Sequence, residues 1–148
     1  MTTALLFAGQ GAQRVGMGRG LVATYPAAER VFAMAEEITG LELRDVCFEG
    51  PADRLNRTDV AQPALFTMCA AVLAAMDENL DVDVQAKVTG EFFAGLSLGE
   101  YTALYAANVM DFAVALDLVA RRGRYMQEAA EAVDSGMVSV IGLDEPAA

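Results

Sequence analysis

Two short apolar runs, each followed by a turn and then by a helical pattern, constrain the fold more than any other feature of the sequence. Residues 4–8 (ALLFA) lead into the turn 9–13 (GQGAQ), and residues 91–95 (EFFAG) come just before Ser97. Apolar runs of this length that end near glycine are typical of buried strands. Strands that alternate with helical segments predict an α/β fold, in which a mostly parallel sheet carries helices on both faces.

Helical periodicity covers much of the remaining sequence. It predicts one helical region from Gly18 to Gly40 with a break at Pro26, and further helices over residues 62–79, 97–108 and 112–132. Pro63 is expected in the first turn of the second region, and Asp111 is expected to be the N-cap of the last. Residues 53–58 are polar and predict a surface loop, whereas residues 137–142 predict a third strand. Three strands are few for a parallel sheet, so the sheet is expected to be unfinished.

Composition excludes several classes of function. The chain has 148 residues, of which 55% are hydrophobic, so it is expected to form one domain with a real core. A net charge of −11 argues against binding to nucleic acid or to an anionic membrane surface. With no histidine and only two cysteines, Cys47 and Cys69, no metal site is expected, and both thiols are predicted to be buried. Residues 64–76, the longest nearly apolar run, are too few to span a bilayer, and no signal peptide is recognisable; a cytoplasmic location is expected.

The pattern Gly95-Leu96-Ser97-Leu98-Gly99 is the first candidate for chemistry. A serine at a sharp turn from strand to helix has a strained backbone, and small neighbours let the two segments approach each other. The serine Oγ then lies above the carboxyl end of the sheet, where the amide of Leu98 can stabilise an oxyanion. The pattern alone is weak. The alternative is that Ser97 serves only as the N-cap of the helix.

The loop 9–13 and Arg122 are two further candidates. The loop follows the carboxyl end of a strand, where ligands bind in open α/β sheets, but it matches neither a dinucleotide fingerprint nor a P-loop. On the helix 112–132, Arg122 lies at the edge of the inward face, whereas Arg121 points almost directly away from that face. The inward face consists of Leu116, Val119, Gly123 and Met126. Arg122 is therefore either a clamp for an acidic ligand or a member of a structural ion pair, and the loop is either a ligand site or a simple turn.

Taken together, four segments resemble malonyl-CoA:acyl-carrier-protein transacylases. They are residues 9–13 (GQGAQ), 62–65 (QPAL), 95–101 (GLSLGEY) and 122–127 (RGRYMQ). The resemblance covers essentially the whole chain and implies an α/β-hydrolase-like acyltransferase large domain. Residues 1–132 would be the N-terminal, nucleophile-bearing part of that domain, and residues 133–148 would be the start of a ferredoxin-like small domain. About half of the usual family length would be absent, so a truncated chain is expected.

The resemblance also implies an activity, an acyl-carrier-protein S-malonyltransferase of fatty-acid biosynthesis that needs no cofactor. Ser97 would attack malonyl-CoA, and the resulting acyl-serine would pass the malonyl group to the thiol of acyl carrier protein. Gln10 and the amide of Leu98 would shape the oxyanion hole. Arg122 would bind the free carboxylate of the malonyl group, with Gln62 as a supporting residue.

Two departures from the family pattern leave alternatives open. The family has histidine before the nucleophile, where this chain has Leu96, and its general base is a histidine, which this chain lacks. The chain could therefore be a non-catalytic binding module, or a fragment complemented by a separate chain that carries the C-terminal half. A serine esterase is a third hypothesis. Acyl carrier proteins are acidic, as this chain is, so the two would repel each other. Docking would therefore need a local basic patch on this chain, for which Arg121 and Arg124 are the candidates.

Overall fold

The computed structural model describes residues 3–80, 91–134 and 136. Within these residues the chain forms two strands and seven helices. In order, they are β1 (Ala4–Phe7), α1 (Arg19–Thr24), α2 (Pro26–Thr39), α3 (Leu43–Phe48), α4 (Ala52–Asn56), α5 (Thr58–Asn79), β2 (Phe92–Gly95), α6 (Leu98–Ala106) and α7 (Phe112–Ala132).

The two strands confirm the predicted parallel sheet. Ala4 lies opposite Phe92 and Phe7 lies opposite Gly95, and α6 packs against both strands. Side chains alternate between the two faces, because successive residues of a strand point in opposite directions. The face that includes Leu6 and Phe92 is exposed, so in the described part of the chain only one face of the sheet is covered, and the expectation of helices on both faces is not met there. The predicted strand at 137–142 lies outside the described residues.

Helix α5 forms the centre of the core. Helices α2, α6 and α7 pack around it, and its apolar residues are distributed over most of its circumference. By length and composition alone, its 22 residues could cross a membrane. The helix is longer than the apolar run 64–76, which is too short to do so. In the structure, however, 61% of its most apolar window is buried inside the protein, as expected for the core helix of a folded domain.

The predicted start of this helix was wrong. It begins at Thr58 and not at Gln62, so Pro63 lies inside the helix rather than in its first turn. Contacts with the first turn account for the extra residues. The side chain of Gln127 on α7 accepts a hydrogen bond from the backbone N–H of Thr58, and Arg57 forms an ion pair with Asp59.

The surface loop predicted at 53–58 is also wrong, because α4 occupies most of it and α5 follows after a single residue. Leu55 is buried in the core while the polar Asp53 and Asn56 remain exposed, so this short helix is amphipathic. Helix α3, which was not predicted from the sequence, likewise buries one side, with Leu43 and Cys47 in the core. Both helices are too short for a clear 3.6-residue period.

An aromatic cluster joins the helices that carry the candidate site. The ring of Phe66 on α5 lies 5.7 Å from the rings of both Tyr105 on α6 and Phe112 on α7. Such pairs stabilise a packing arrangement beyond the area that they bury. The cluster fixes the positions of α6 and α7 relative to the core helix. The predicted bounds of α7, residues 112–132, are confirmed, whereas α6 is shorter at both ends than predicted.

The two cysteines are part of the packing. Cys47 is completely buried, and burial, with a contribution from the negative charge of Glu36, raises the pKa of its thiol to about 12. Cys69 is only half-buried, so the prediction holds fully for one thiol and partly for the other. Burial also raises the pKa of Cys69. Neither thiol is therefore a reactive thiolate near neutral pH.

Candidate active site

Ser97 lies at a sharp turn between β2 and α6. Its backbone has φ 55° and ψ −99°, outside the regions that residues with a Cβ normally adopt. Its N–H donates a hydrogen bond to Glu100 Oε1 at 3.2 Å, which stabilises the start of α6. Ser97 is thus the N-cap of α6, and its backbone is also strained. Strain of this kind is concentrated at functional sites.

The glycines on either side allow this turn to form. A Cβ added to Gly95 would lie 2.1 Å from the carbonyl carbon of Gly99. A Cβ added to Gly99 would lie 2.3 Å from the carbonyl oxygen of Phe7 on β1. The turn, α6 and β1 therefore approach one another more closely than any side chain would permit. This confirms the predicted need for small residues beside Ser97.

The loop 9–13 contacts the turn that carries Ser97. A Cβ added to Gly9 would lie 2.7 Å from the carbonyl oxygen of Leu96, so the two segments touch. In the part of the chain that is described, no hydrogen bond uses the backbone N–H of Gln10 or of Leu98. Leu98 is the first residue of α6, where helix N–H groups have no partner within the helix. Two N–H groups without a partner among the described contacts thus lie in adjoining segments, one of them on the residue that follows Ser97.

Arg122 contacts the serine directly. Its Nη2 donates a hydrogen bond to Ser97 Oγ at 2.8 Å, and its Nη1 donates one to Gln62 Oε1 at 2.6 Å. The ring of Tyr101 lies 5.7 Å from the guanidinium carbon. Among the residues that the structure describes, no carboxylate forms an ion pair with Arg122, so the structural ion pair considered from the sequence is not found there. A half-buried guanidinium with neutral partners is suited to bind a carboxylate.

Gln62 links Arg122 to the loop. Its side chain is completely buried, and its Nε2 lies 3.2 Å both from Gln10 Oε1 and from Met126 Sδ. Leu116, Val119 and Gly123 are buried, as predicted for the inward face of α7. Met126 is 40% exposed and lies at the rim of that face. The structure therefore brings Gln10, Gln62, Ser97 and Arg122 into one hydrogen-bonded group.

Sequence reasoning missed two polar residues of this group. Thr58 Oγ1 accepts a hydrogen bond from Gln10 Nε2 at 3.2 Å, and Gln127 Oε1 accepts one from the N–H of Thr58 at 2.8 Å. A threonine at the first residue of a helix is a weak signal, because this residue type is common at helix starts for reasons of capping alone. Gln127 lies in the segment 122–127, which contributed to the family resemblance, but nothing in the sequence indicated a function for it.

Arg121 and Arg124 do not form a free basic patch. Arg121 Nε lies 2.9 Å from Asp117 Oδ2, and Arg124 Nε lies 3.9 Å from Glu128 Oε1. Each arginine is therefore paired with an acid on the same helix, which reduces the local positive charge.

The described contacts of Ser97 do not include a base. The side-chain partner of its Oγ in the described region is the guanidinium of Arg122, which is always protonated and cannot accept a proton. The described residues contain no cluster of three or more side chains that could hold a metal ion. The described contacts thus bring together a serine hydroxyl and a guanidinium that has no ion-pair partner among the described residues.

Comparison with known proteins identifies similar sequences. The family profile described as "Acyl transferase domain" matches residues 4–146. The malonyl CoA-acyl carrier protein transacylase of Bacillus subtilis (strain 168) is 42% identical over 144 residues, which are 97% of this chain and 43% of the relative. The mitochondrial malonyl-CoA-acyl carrier protein transacylase of Homo sapiens is 44% identical over 138 residues, 93% of this chain and 34% of the relative.

Solved structures give the same result. The acyl-carrier-protein-S-malonyltransferase of Bartonella henselae superposes with a TM-score of 0.82 at 38% identity, over 99% of this chain and 46% of that one. A malonyl-transacylase in complex with a type II polyketide-synthase acyl-carrier protein superposes with a TM-score of 0.77 at 38% identity. The match covers 87% of this chain and 40% of that one. The chain spans less than half the length of each of these relatives.

Proposed function

Because the chain belongs to the acyl transferase domain family, we propose that it carries the nucleophile and the acid-binding side chains for transfer of a malonyl group from coenzyme A to acyl carrier protein. The observation that carries the proposal is the pair of hydrogen bonds from Arg122 to Ser97 Oγ and to Gln62 Oε1. They place a cation directly beside the atom that would receive the acyl group.

The chemistry takes place in two steps at Ser97. Its Oγ attacks the thioester carbonyl, a C–O bond forms, the C–S bond breaks, and coenzyme A leaves as the thiol after it takes up the serine proton by way of a base. The carrier thiol then attacks the acyl-serine: a C–S bond forms, the C–O bond to Ser97 Oγ breaks, and the thiol proton passes by way of the base to Oγ, which restores the hydroxyl. In both steps the N–H groups of Gln10 and Leu98 would stabilise the negative oxygen of the tetrahedral intermediate.

Arg122 gives the site its preference for an acidic acyl group. A malonyl group esterified to Ser97 carries its free carboxylate only a few bonds from Oγ, where the guanidinium already lies. The carboxylate would replace the serine hydroxyl as the acceptor of Nη2. Gln62, buried and bonded to Nη1, would hold the guanidinium in place while this happens.

The base is the part of the mechanism that these contacts do not supply. The chain has no histidine, and the partner of Ser97 Oγ in the described region is a permanent cation. More than half the length of the relatives has no counterpart in this chain. We propose that the base comes from that part of the family fold, whether in the same polypeptide or in a separate chain.

The contact between Arg122 and Ser97 also favours a second candidate function. A serine that donates to no base and accepts from a guanidinium is suited to hold a ligand without reacting with it. The chain would then be a malonyl-binding module, with Arg122 and Gln62 as the binding residues.

Acyl carrier protein is the proposed macromolecular partner, since one structural relative was solved with such a protein. The ion pairs of Arg121 and Arg124 weaken the case for a docking patch on the outer face of α7.

The decisive experiment is intact-mass spectrometry after incubation of the full chain with malonyl-CoA. Transacylation predicts a malonyl adduct that maps to Ser97 and is absent in Ser97→Ala. Titration calorimetry of Ser97→Ala with malonyl-CoA then shows whether binding persists without the nucleophile. Binding by the wild type without an adduct, even when imidazole is added in place of the absent base, would favour the binding module. If the wild type shows neither an adduct nor binding, both proposals are contradicted. Hydrolysis of simple esters without preference for malonyl would favour an esterase.

A further inference from the structure

Two glutamine side chains fasten the loop 9–13 to the junction between α4 and α5. Gln10 Nε2 donates to Thr58 Oγ1 at 3.2 Å, and Gln13 Nε2 donates to Asn56 Oδ1 at 2.9 Å. The loop also closes on itself, because the N–H of Gly11 donates to Gln13 Oε1 at 2.7 Å. The conformation of the loop that contacts the Ser97 turn is therefore set by the residues at this junction.

The position of Thr58 is in turn fixed by α7. Its N–H donates to Gln127 Oε1, and a Cβ added to Gly123 would lie 2.8 Å from its carbonyl oxygen. The backbone of α7 thus packs directly against that of Thr58. Since α7 also carries Arg122, one helix positions both the guanidinium and the anchor of the loop.

Arg122 determines which atoms donate and which accept in the hydrogen-bonded group of Arg122, Gln62, Gln10 and Thr58. Arg122 can only donate, so Gln62 must turn its Oε1 towards the guanidinium and its Nε2 towards Gln10. Gln10 must then accept through Oε1, which directs its own Nε2 to Thr58. The hydroxyl of Thr58 is the last acceptor in this series of hydrogen bonds. The series therefore favours a single orientation of both glutamine amides.

We propose that Thr58 is a positioning residue. Its hydroxyl fixes the side chain of Gln10, and through it the backbone N–H of Gln10 in the loop that touches the Ser97 turn. The consequence for acyl transfer rests on the proposed function. The consequence for the loop does not, because it follows from the hydrogen bonds alone.

Thr58→Val tests the proposal, since it removes the hydroxyl while keeping the shape of the side chain. Thr58→Ser keeps the hydroxyl. Thr24→Val is the matched control, because the hydroxyl of Thr24 bonds to the carbonyl of Gly20 within α1. Thermal unfolding of each variant shows whether the fold is retained.

The first readout is the ¹⁵N order parameter of the Gln10 backbone N–H and side-chain amide. We expect both to fall in Thr58→Val, the backbone value from about 0.85 towards about 0.6, and to stay near wild type in Thr58→Ser and Thr24→Val. Unchanged values in Thr58→Val would overturn the proposal.

The second readout is the rate of Ser97 acylation as a function of malonyl-CoA concentration. Loss of one hydrogen bond predicts a rate constant lower by about three- to tenfold with an unchanged half-saturating concentration. A rise in the half-saturating concentration alone would mean that Thr58 acts on binding, contrary to the proposal. If the wild type forms no adduct even with imidazole added in place of the absent base, the proposed transfer function fails, while the order parameters still decide whether Thr58 positions Gln10.

Discussion

Arg122 is the residue whose surroundings decide which ligand the site can hold. It is half-buried and bonds to neutral oxygens of Ser97 and Gln62, so its charge is available to a ligand. We expect Arg122→Ala to weaken malonyl-CoA binding more than acetyl-CoA binding. A hydrogen bond to a charged group contributes about 1.5–3 kcal/mol, which corresponds to a selective loss of roughly 10- to 150-fold.

Titration calorimetry with both thioesters measures this difference. Arg121→Ala is the matched control, because Arg121 is exposed and pairs with Asp117 on the same helix. An equal loss of affinity for malonyl-CoA and acetyl-CoA in Arg122→Ala would show that the guanidinium does not recognise the carboxylate.

The sequence indicated some of these residues and not others for a physical reason. Ser97 stands out because glycines flank it at a predicted strand-to-helix turn, and Arg122 stands out because a charge interrupts an apolar face. Thr58 and Gln127 are ordinary polar residues, and their importance comes from a contact between segments 69 residues apart in the sequence. No local pattern reports such a contact.

At the scale of elements, the site depends on how closely the Ser97 turn packs against β1. We expect Gly99→Ala to destabilise the protein, because its Cβ would lie 2.3 Å from the carbonyl oxygen of Phe7. Forcing extra atoms into a packed region costs about 1–3 kcal/mol, which lowers the melting temperature of a domain of this size by several degrees. The same displacement would abolish acylation of Ser97.

Thermal unfolding followed by circular dichroism tests this expectation. Gly20→Ala is the control, since nothing lies within 4 Å of a Cβ at that position in α1. Alanine is favoured over glycine in a helix by about 0.5–1 kcal/mol, so this variant should melt at the same or a higher temperature. A Gly99→Ala protein as stable as the wild type would mean that the turn can relax without cost.

The elements differ in how well the sequence predicted them. Helix α7 has a long amphipathic pattern, and its bounds were predicted correctly. Helix α5 was predicted to start four residues too late, because Pro63 is usually a mark of the first turn and the capping contact from Gln127 is a tertiary one. The short helices α3 and α4 bury three residues and one residue respectively, too few to define a period.

At the scale of the whole molecule, the main departure from an ordinary α/β domain is that one face of the sheet is not covered by any of the described residues. Parallel sheets are normally covered on both faces, whereas here Leu6 is 78% and Phe92 is 64% exposed. The sequence predicted an unfinished sheet from the number of strands, and it gave no indication of which face would be open. That depends on where the helices pack, which the alternating pattern of two four-residue strands does not determine.

The open face and the acidic charge have opposite effects on self-association. An exposed apolar face beside a strand edge promotes association, whereas a net charge of −11 opposes it. Salt shortens the screening length from about 10 Å at 0.1 M to about 3 Å at 1 M, so we expect association to increase with salt in sedimentation experiments. Leu6→Lys should suppress it, while Val109→Lys, at a residue 65% exposed but outside the sheet, should not. A chain that stays monomeric at every salt concentration, or equal association of the two variants, would show that this face does not drive association.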